Sequence, residues 1–268
     1  MKQRGPWLGG IGLLALVLGC AGEAAREAAP AKKPEGRVFA VTFQVMNNPF
    51  FPALNDGLKE VIEARGDELR TLDAQWDSTK QMNDISDMIQ QQVVGIFINP
   101  VNWKSIRGSL QRARDKNIPC IVVDAPAEDA DLAVCTVASD NVKAGQLAAE
   151  GTIEGSRPVM RDLVGRYPEL NAVFAINDPS ALGAVSALES AGKLPGVTIV
   201  TVDGSPQGID AVKAGKLHST SAQFPKEIGR IAAEKMYEHL QGQPVPKEVT
   251  VRVELITKEN AEAFGEPQ

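Results

Sequence analysis

From residue 37 onward, short apolar runs alternate with segments whose apolar residues recur every three or four positions. The runs RVFAVTF (37–43), VVGIFIN (93–99) and IPCIVVD (118–124) are continuous, which is typical of strands buried on both faces. Between the runs, pairs such as Leu54 and Leu58 fall on one helical face. The alternation predicts repeated β–α units and a parallel sheet covered by helices on both sides.

The second half of the chain repeats this pattern. Two apolar runs predict strands, NAVFAIN (171–177) and GVTIVTVD (196–203), and LHSTSAQ (217–223) predicts a short strand. The alternating segment VTVRVELI (249–256) predicts one late strand. Asp178 is predicted to cap a helix that has Pro179 at its first position. Both halves are therefore predicted to be α/β.

The N-terminus predicts a targeting segment rather than part of the fold. An uncharged apolar run over residues 6–19 is about 14 residues long, shorter than the roughly 20 that a membrane helix needs. It fits the apolar core of a secretion signal over residues 1–19. The residues directly before Cys20 resemble a bacterial lipobox, which implies cleavage there and lipidation of the Cys20 thiol. The alternatives are an ordinary signal peptide, or a short anchor, with an incidental cysteine. Residues 20–36 predict a flexible tether.

Composition excludes several classes of site and partner. The formal net charge of −6 is spread without a long basic run, so we expect no nucleic-acid partner. Cys120 and Cys135 lie in apolar stretches without a CxxC spacing, and we expect buried thiols, with a disulfide in an oxidising envelope as the alternative. The chain has two histidines, so we expect no histidine-based metal site and no cofactor.

Polar side chains follow the predicted strands, where ligands bind in open parallel sheets. They are Gln44, Asn48, Asp124, Asn177, Asp203 and Gln223. Carboxylates and amides suit a polyol, whose hydroxyls both donate and accept hydrogen bonds. In MNNPFF (46–51), Phe50 and Phe51 add flat apolar faces for the C–H face of a sugar ring.

Each of these residues also has a structural interpretation. Phe50 and Phe51 are alternatively core residues at a helix start, and Asn177 is alternatively a helix cap. Asp124 and Asp203 are alternatively capping or hinge residues. We expect Trp76 and Trp103 at the surface or at the rim of a cleft.

Seven motifs, in order, resemble the ribose-type periplasmic sugar-binding proteins. They are NNPFF (47–51), INP (98–100), VVDAP (122–126), ASDN (138–141), AVFAIND (172–178), VDGSP (202–206) and SAQFP (221–225). The resemblance implies two doubly wound parallel-sheet domains joined by a hinge, closing on a sugar that is delivered to an ABC-type permease. It implies sugar contacts from the polar residues and the two phenylalanines named above, with the least certain match at Gln44. It also implies a monomeric, non-enzymatic protein of the cell envelope.

The resemblance also places the domain boundaries. The first domain covers 37–138 and is completed by a segment near 224–245. The second covers 139–223, with 246–268 joining it or the hinge.

Two departures from the family pattern stand out. An arginine follows the first aspartate in the ribose binders, where this chain has Ala125, so D-ribose itself is in doubt. Near residues 148–160 the chain lacks on the order of fifty residues that in the family supply a strand, a helix and further sugar contacts. Only about eight residues remain there, fewer than the roughly ten to twelve that a βα crossover needs. The explanations are a natural deletion, an altered gene model, or a shortened protein with another role. We expect a truncated, weakened second domain.

Two other functions are compatible with the same residues. One is a decayed relative that no longer binds sugar and is at most an interaction or sensor protein. The other is a glycosidase that uses Asp124 and Asp203 as its carboxylate pair.

Overall fold

The computed structural model describes residues 36–141 and 157–264, and these lie in the compact unit that begins at Glu35. Among these residues there are two sheets, and the first has six strands in the order β2-β1-β3-β4-β5-β9, with every neighbouring pair parallel. The strands are β1 (Val38–Phe43), β2 (Glu68–Asp73), β3 (Gly95–Ile98), β4 (Cys120–Val123), β5 (Cys135–Ser139) and β9 (Glu248–Val251).

Helices cover both faces of this first sheet. They are α1 (Phe50–Glu63), α2 (Ser78–Gln90), α3 (Arg107–Asp115) and α7 (Pro225–Leu240). Successive side chains of β1 alternate between the faces: Phe39 packs in the core under α1 and α7, and Ala40 packs in the core under α2 and α3. The continuous apolar strands predicted from the sequence are therefore buried on both sides.

A close crossing joins α1 to α7. A side-chain carbon on Gly57 would collide with the backbone carbonyl of Lys226, and one on Gly229 would collide with that of Leu54. Two glycines thus let a helix from the end of the chain lie directly on the first helix.

The second sheet has four strands among the described residues, in the order β10-β8-β7-β6. They are β6 (Ala172–Phe174), β7 (Thr198–Asp203), β8 (Ser219–Ala222) and β10 (Glu254–Thr257). The first three are parallel, and β10 is antiparallel to β8. The accompanying helices are α4 (Arg157–Arg166), α5 (Asp178–Ser190) and α6 (Pro206–Lys213). The predicted α/β class with two sheets is confirmed.

Two local predictions are wrong. The capping residue of α5 is Asn177, whose side chain accepts a hydrogen bond from the Ser180 backbone N–H at 3.0 Å, and Asp178 is instead fully buried as the first helical residue. The late strand predicted over 249–256 is two strands, with β9 in the first sheet and β10 in the second. The chain changes sheet at Arg252, whose guanidinium lies 3.6 Å from the centre of the Phe224 ring.

The cysteine prediction is confirmed for the two described cysteines. Cys120 and Cys135 are both buried free thiols. They lie on adjacent strands but in the cores on opposite faces of the first sheet, which keeps their side chains apart. The predicted signal, Cys20 and most of the tether lie outside the described residues. Within the described ranges, no helix combines the length and apolar character needed to cross a membrane.

Candidate functional site

A cleft of about 420 Å³ opens where the carboxyl ends of strands from both sheets meet. All eight residues predicted from the sequence line it: Gln44, Asn48, Phe50, Phe51, Asp124, Asn177, Asp203 and Gln223. The convergence follows from topology, since the carboxyl ends of parallel strands lie at one edge of each sheet.

The MNNPFF turn forms one wall. The Asn48 side-chain oxygen accepts a hydrogen bond from the Phe50 backbone N–H at 2.9 Å, which fixes the turn into α1. Phe50 and Phe51 meet edge to face with ring centres 5.4 Å apart, and Phe51 also packs on Phe43. Both are more than nine-tenths buried and belong to the core under α1. They are therefore core residues that also face the cleft, so the two interpretations of the pair coexist.

Asp124 is held at the end of β4 by Asn99, a residue that the sequence reasoning did not single out. The Asn99 amide donates to the Asp124 carboxylate at 3.1 Å, and its oxygen accepts the Gln44 backbone N–H at 3.2 Å. Asp124 has a φ of 67°, a left-handed conformation that aspartate tolerates better than most residues. Asn99 follows β3, the neighbour of β4, and that strand order is what places the two side chains together.

Asp203 occupies the corresponding end of β7. It has a φ of 125° and precedes Gly204, whose φ is 70°. Its Oδ2 atom is buried, and no hydrogen-bond partner for it exists among the described residues. Buried carboxyl oxygens nearly always have a donor, so the Asp203 Oδ2 atom calls for an explanation.

The loop after Asp203 is anchored by buried Asp178. One Asp178 oxygen accepts hydrogen bonds from the Ser205 backbone N–H and hydroxyl, both at 2.7 Å, and the other accepts the Thr220 hydroxyl at 2.8 Å. Thr220 in turn accepts the Gly204 backbone N–H at 3.0 Å. The strained backbone at Asp203 is thus fixed from both sides.

Burial shapes the protonation of the cleft carboxyls. Burial raises the pKa of Asp124 to about 7, although the Asn99 hydrogen bond acts in the opposite direction. The pKa of Asp203 is raised well above its ordinary value, first by burial and then by the charges of Asp178 and Asp124. Burial also raises the pKa of Asp178, and its hydroxyl donors oppose that shift.

The remaining polar lining comes from the second sheet and from the crossing between the sheets. The buried Gln223 amide donates to the Asn141 side-chain oxygen at 3.3 Å, and its backbone N–H donates to the Asp203 carbonyl at 2.9 Å. Asn177 lines the cleft while its side-chain oxygen caps α5, so its structural interpretation is confirmed.

Aromatic and apolar side chains at the rim were only partly anticipated. Trp76 lies on the cleft rim, 59% exposed, as expected for a rim aromatic. Its backbone N–H donates to the Gln44 carbonyl at 2.7 Å. Trp103 does not line the cleft and stacks under Lys104 instead. Phe174, the last residue of β6, and the 76%-exposed Ile176 also line the cleft, and the sequence marked them only as part of the predicted strand 171–177.

Comparisons with known proteins agree with this geometry. A family model described as a periplasmic binding protein domain matches residues 39–157 and 150–244. The ribose import binding protein of Bacillus subtilis is 30% identical, over 91% of this chain and 96% of that protein. An ABC transporter solute-binding protein from Bacillus halodurans, solved with bound myo-inositol, has a TM-score of 0.79 at 25% identity, over 87% of this chain and 98% of that one. One from Mycobacterium smegmatis with bound glycerol has a TM-score of 0.78 at 28% identity, over 85% and 96%.

The Bacillus subtilis alignment also measures what this chain lacks. It runs over 295 positions but takes up 91% of the 268 residues, so about fifty positions have no residue of this chain. The two matches to the family model meet at 150–157, inside the segment where the shortening was predicted. The second half is therefore truncated relative to its relatives, as the sequence indicated.

Sequence motifs, fold and cleft now agree with the comparisons. The family match extends from residue 39 to residue 244, well over half of the chain. The relatives and solved structures named above are binding proteins rather than enzymes, which removes the glycosidase alternative. This chain belongs to the periplasmic binding protein family, among its ribose-type sugar-binding members.

Proposed function

We propose that this protein captures a monosaccharide or a related polyol in the cleft and delivers it to an ABC-type sugar permease. The observation that carries the proposal is the buried Asp203 Oδ2 atom, which has no donor among the described residues although amides from both sheets surround the same space. An unmet buried acceptor costs about 1–3 kcal/mol, which a ligand hydroxyl would recover. Two similar structures were solved with bound polyols, myo-inositol and glycerol.

The proposed contacts divide between the two sheets. Asn48 and Asp124 bind hydroxyls from the first sheet, with Gln44 beside them. Asn177, Asp203 and Gln223 bind hydroxyls from the second. Phe50 and Phe51 pack on the apolar face of the ring. A cleft of about 420 Å³ lies within the range of roughly 300–1,000 Å³ that is usual for small-molecule sites.

A thermal melt of the full-length protein with pentoses, hexoses and polyols tests retained binding. A ligand at a hundred times its dissociation constant should add about 2.7 kcal/mol to the free energy of unfolding. Asp203→Asn should abolish the shift, and Asp210→Asn, an exposed change in α6, should preserve it. A cooperative melt that no compound shifts would contradict the proposal.

We further propose that the protein is a monomer held at the cell envelope by lipid on Cys20. The support is the order of the apolar run, Gly19 and Cys20, together with a family that is periplasmic. Cys20→Ala should move the protein from the membrane fraction to the soluble fraction and remove incorporation of a labelled fatty acid. Retention of both properties by the variant would contradict lipidation at this residue.

One observation favours a second function. About fifty family positions are missing and β6 has no outer neighbour among the described strands, as expected of a decayed binder that serves only as an interaction or sensor protein. The same melt separates the two proposals, because a decayed binder gives no ligand-dependent shift.

A further inference from the structure

The described lining of the cleft is acidic and has no positive charge to balance it. Asp124 and Asp203 face the same space, and the described lining includes no lysine, arginine or histidine. The residue after Asp124 is Ala125, also in the lining, which offers neither a charge nor a donor side chain. Two acidic groups therefore point into one cavity without a cation from the described part of the protein.

Hydrogen bonds do not make up for this missing charge. Asp124 accepts one side-chain hydrogen bond, from neutral Asn99. A hydrogen bond from the Asp178 backbone lowers the pKa of Asp203, but the Asp203 Oδ2 atom has no partner among the described residues. The two carboxyls are close enough that the charge of Asp124 contributes to the raised pKa of Asp203. Asp178, behind Asp203, adds to the same negative potential. Hydroxyls would leave these buried carboxyls protonated and neutral, whereas a neighbouring cation would stabilise their ionised form.

An aromatic side chain stands on the rim of the same cleft. Gln75 and Trp76 both adopt left-handed backbone conformations, with φ of 56° and 61°. Such backbone strain in consecutive residues is typical of functional sites, and here it brings the exposed Trp76 ring to the cleft. Indole faces attract cations, so the rim and the carboxyls favour the same kind of ligand.

We propose that the ligand is a sugar or polyol that carries a protonated amine, with the ammonium group bound between Asp124 and Asp203 and the hydroxyls bound by the amides. This inference rests on the proposed function of the cleft and narrows its ligand class. An organic ammonium fits better than a metal ion, because the described residues contain no cluster of three or more histidine, cysteine or acidic side chains that would hold one.

The ammonium group changes the protonation of the site when it binds. In the empty cleft, burial favours the protonated carboxyls. An ammonium beside them stabilises the carboxylate, so a carboxyl proton passes to the buffer as the ion pair forms. A neutral sugar leaves that proton in place, which gives the two ligand classes different signatures.

Calorimetry on the full-length protein with matched ligand pairs tests the proposal. The pairs are D-glucosamine with D-glucose, and 1-amino-1-deoxysorbitol with sorbitol, at pH 7 in two buffers of different ionisation enthalpy. We expect at least one amino compound to bind tenfold or more tightly than its neutral partner, with proton release seen only for the amino compound. Added salt should weaken the amino compound more.

Variants connect the preference to the carboxyls. Asp203→Asn and Asp124→Asn should each reduce the amino preference and the proton release, and either variant suffices if the other does not fold. Asp56→Asn, an exposed change on α1, should leave both unchanged. This inference is overturned if both amino compounds bind no more tightly than their neutral partners, or if the amino preference survives both cleft substitutions. In either case, binding of a neutral sugar leaves the proposed function standing. No binding of any compound overturns both.

Discussion

The two sheets differ most at their edges. The edge strand β2 of the first sheet reads ELRTLD, and its charged residues Glu68 and Arg70 face solvent. The edge strand β6 of the second sheet reads AVF, with Val173 fully buried and the exposed Ile176 just beyond it. Natural edges usually carry charges or other devices against pairing with another chain. β2 has the sequence of an edge, and β6 has the sequence of an interior strand.

Loss of a family segment that lies beside β6 would produce this difference. The relatives have about fifty more positions, and the family model is matched in two parts that meet at 150–157. A lost neighbour explains why an apolar strand stands at the edge of the described second sheet. The first sheet should therefore behave like a complete domain, and the second should be the weaker of the two.

The largest expected loss of stability comes from removing Asp178, the buried acceptor that holds the loop after Asp203. Asp178→Ala leaves the Ser205 backbone N–H and the hydroxyls of Ser205 and Thr220 buried without their acceptor. We expect a loss of about 3 kcal/mol or more in the free energy of unfolding, measured by chemical denaturation. The exposed Asp210→Ala in α6, a helix of the same half of the chain, should change stability by less than about 0.5 kcal/mol. A similar small effect for both would show that the Asp178 network contributes little.

The helix crossing on the first sheet gives the next effect. Gly229→Ala drives a methyl group against the Leu54 carbonyl and should cost about 2 kcal/mol. Gly165→Ala in α4 meets nothing within 4 Å and should add up to about 1 kcal/mol through helix propensity. If the free energy of unfolding falls for Gly229→Ala and rises for Gly165→Ala in denaturation experiments, the close contact between α1 and α7 is confirmed. A neutral Gly229→Ala would contradict it.

Hydrogen exchange compares the sheets directly. We expect the amides of β6 and β7 to exchange at least about tenfold faster than those of β1 and β3, a difference of about 1.4 kcal/mol in opening free energy. A full-length relative, which retains the missing segment, is the control and should show a smaller difference. Equal protection in the two sheets, or unfolding as cooperative and stable as in that relative, would refute the weakened second sheet.

A separate effect is a pH dependence of stability from Asp124, the cleft carboxyl of the first sheet. The folded-state pKa of Asp124 is about 7 and its ordinary value is 3.8, so between these values the folded protein holds a proton that the unfolded chain has released. Stability should therefore fall as pH rises from about 4 to about 7, and the slope should end above that window. Asp124→Asn should flatten this slope in denaturation curves taken across the range. If the slope of stability against pH is unchanged in Asp124→Asn, another group titrates in this range, and Asp203 of the second sheet is the first to test.

The sequence predicted the elements better than their register and connections. Strand-end residues such as Asp124 and Asp203 line one cleft because parallel topology brings them together. Asn99 was missed because its role depends on β3 lying beside β4. The two strands within 249–256 were merged because alternation continues past Arg252, where the chain changes sheet without a change in pattern. The position of Trp76 depends on a left-handed turn that no residue type there announces.

The crossing of α1 and α7 also determines when the core of the first sheet can be completed during synthesis. The first helix is made within the first quarter of the chain, but the surface that covers it ends at Leu240 and the strand beside β5 ends at Val251. An emerging chain therefore exposes the apolar face of α1 until nearly all of it has left the ribosome. If the chain is exported, late folding keeps it unfolded, and so able to pass through a translocation pore, until the segment that contains α7 and β9 is available.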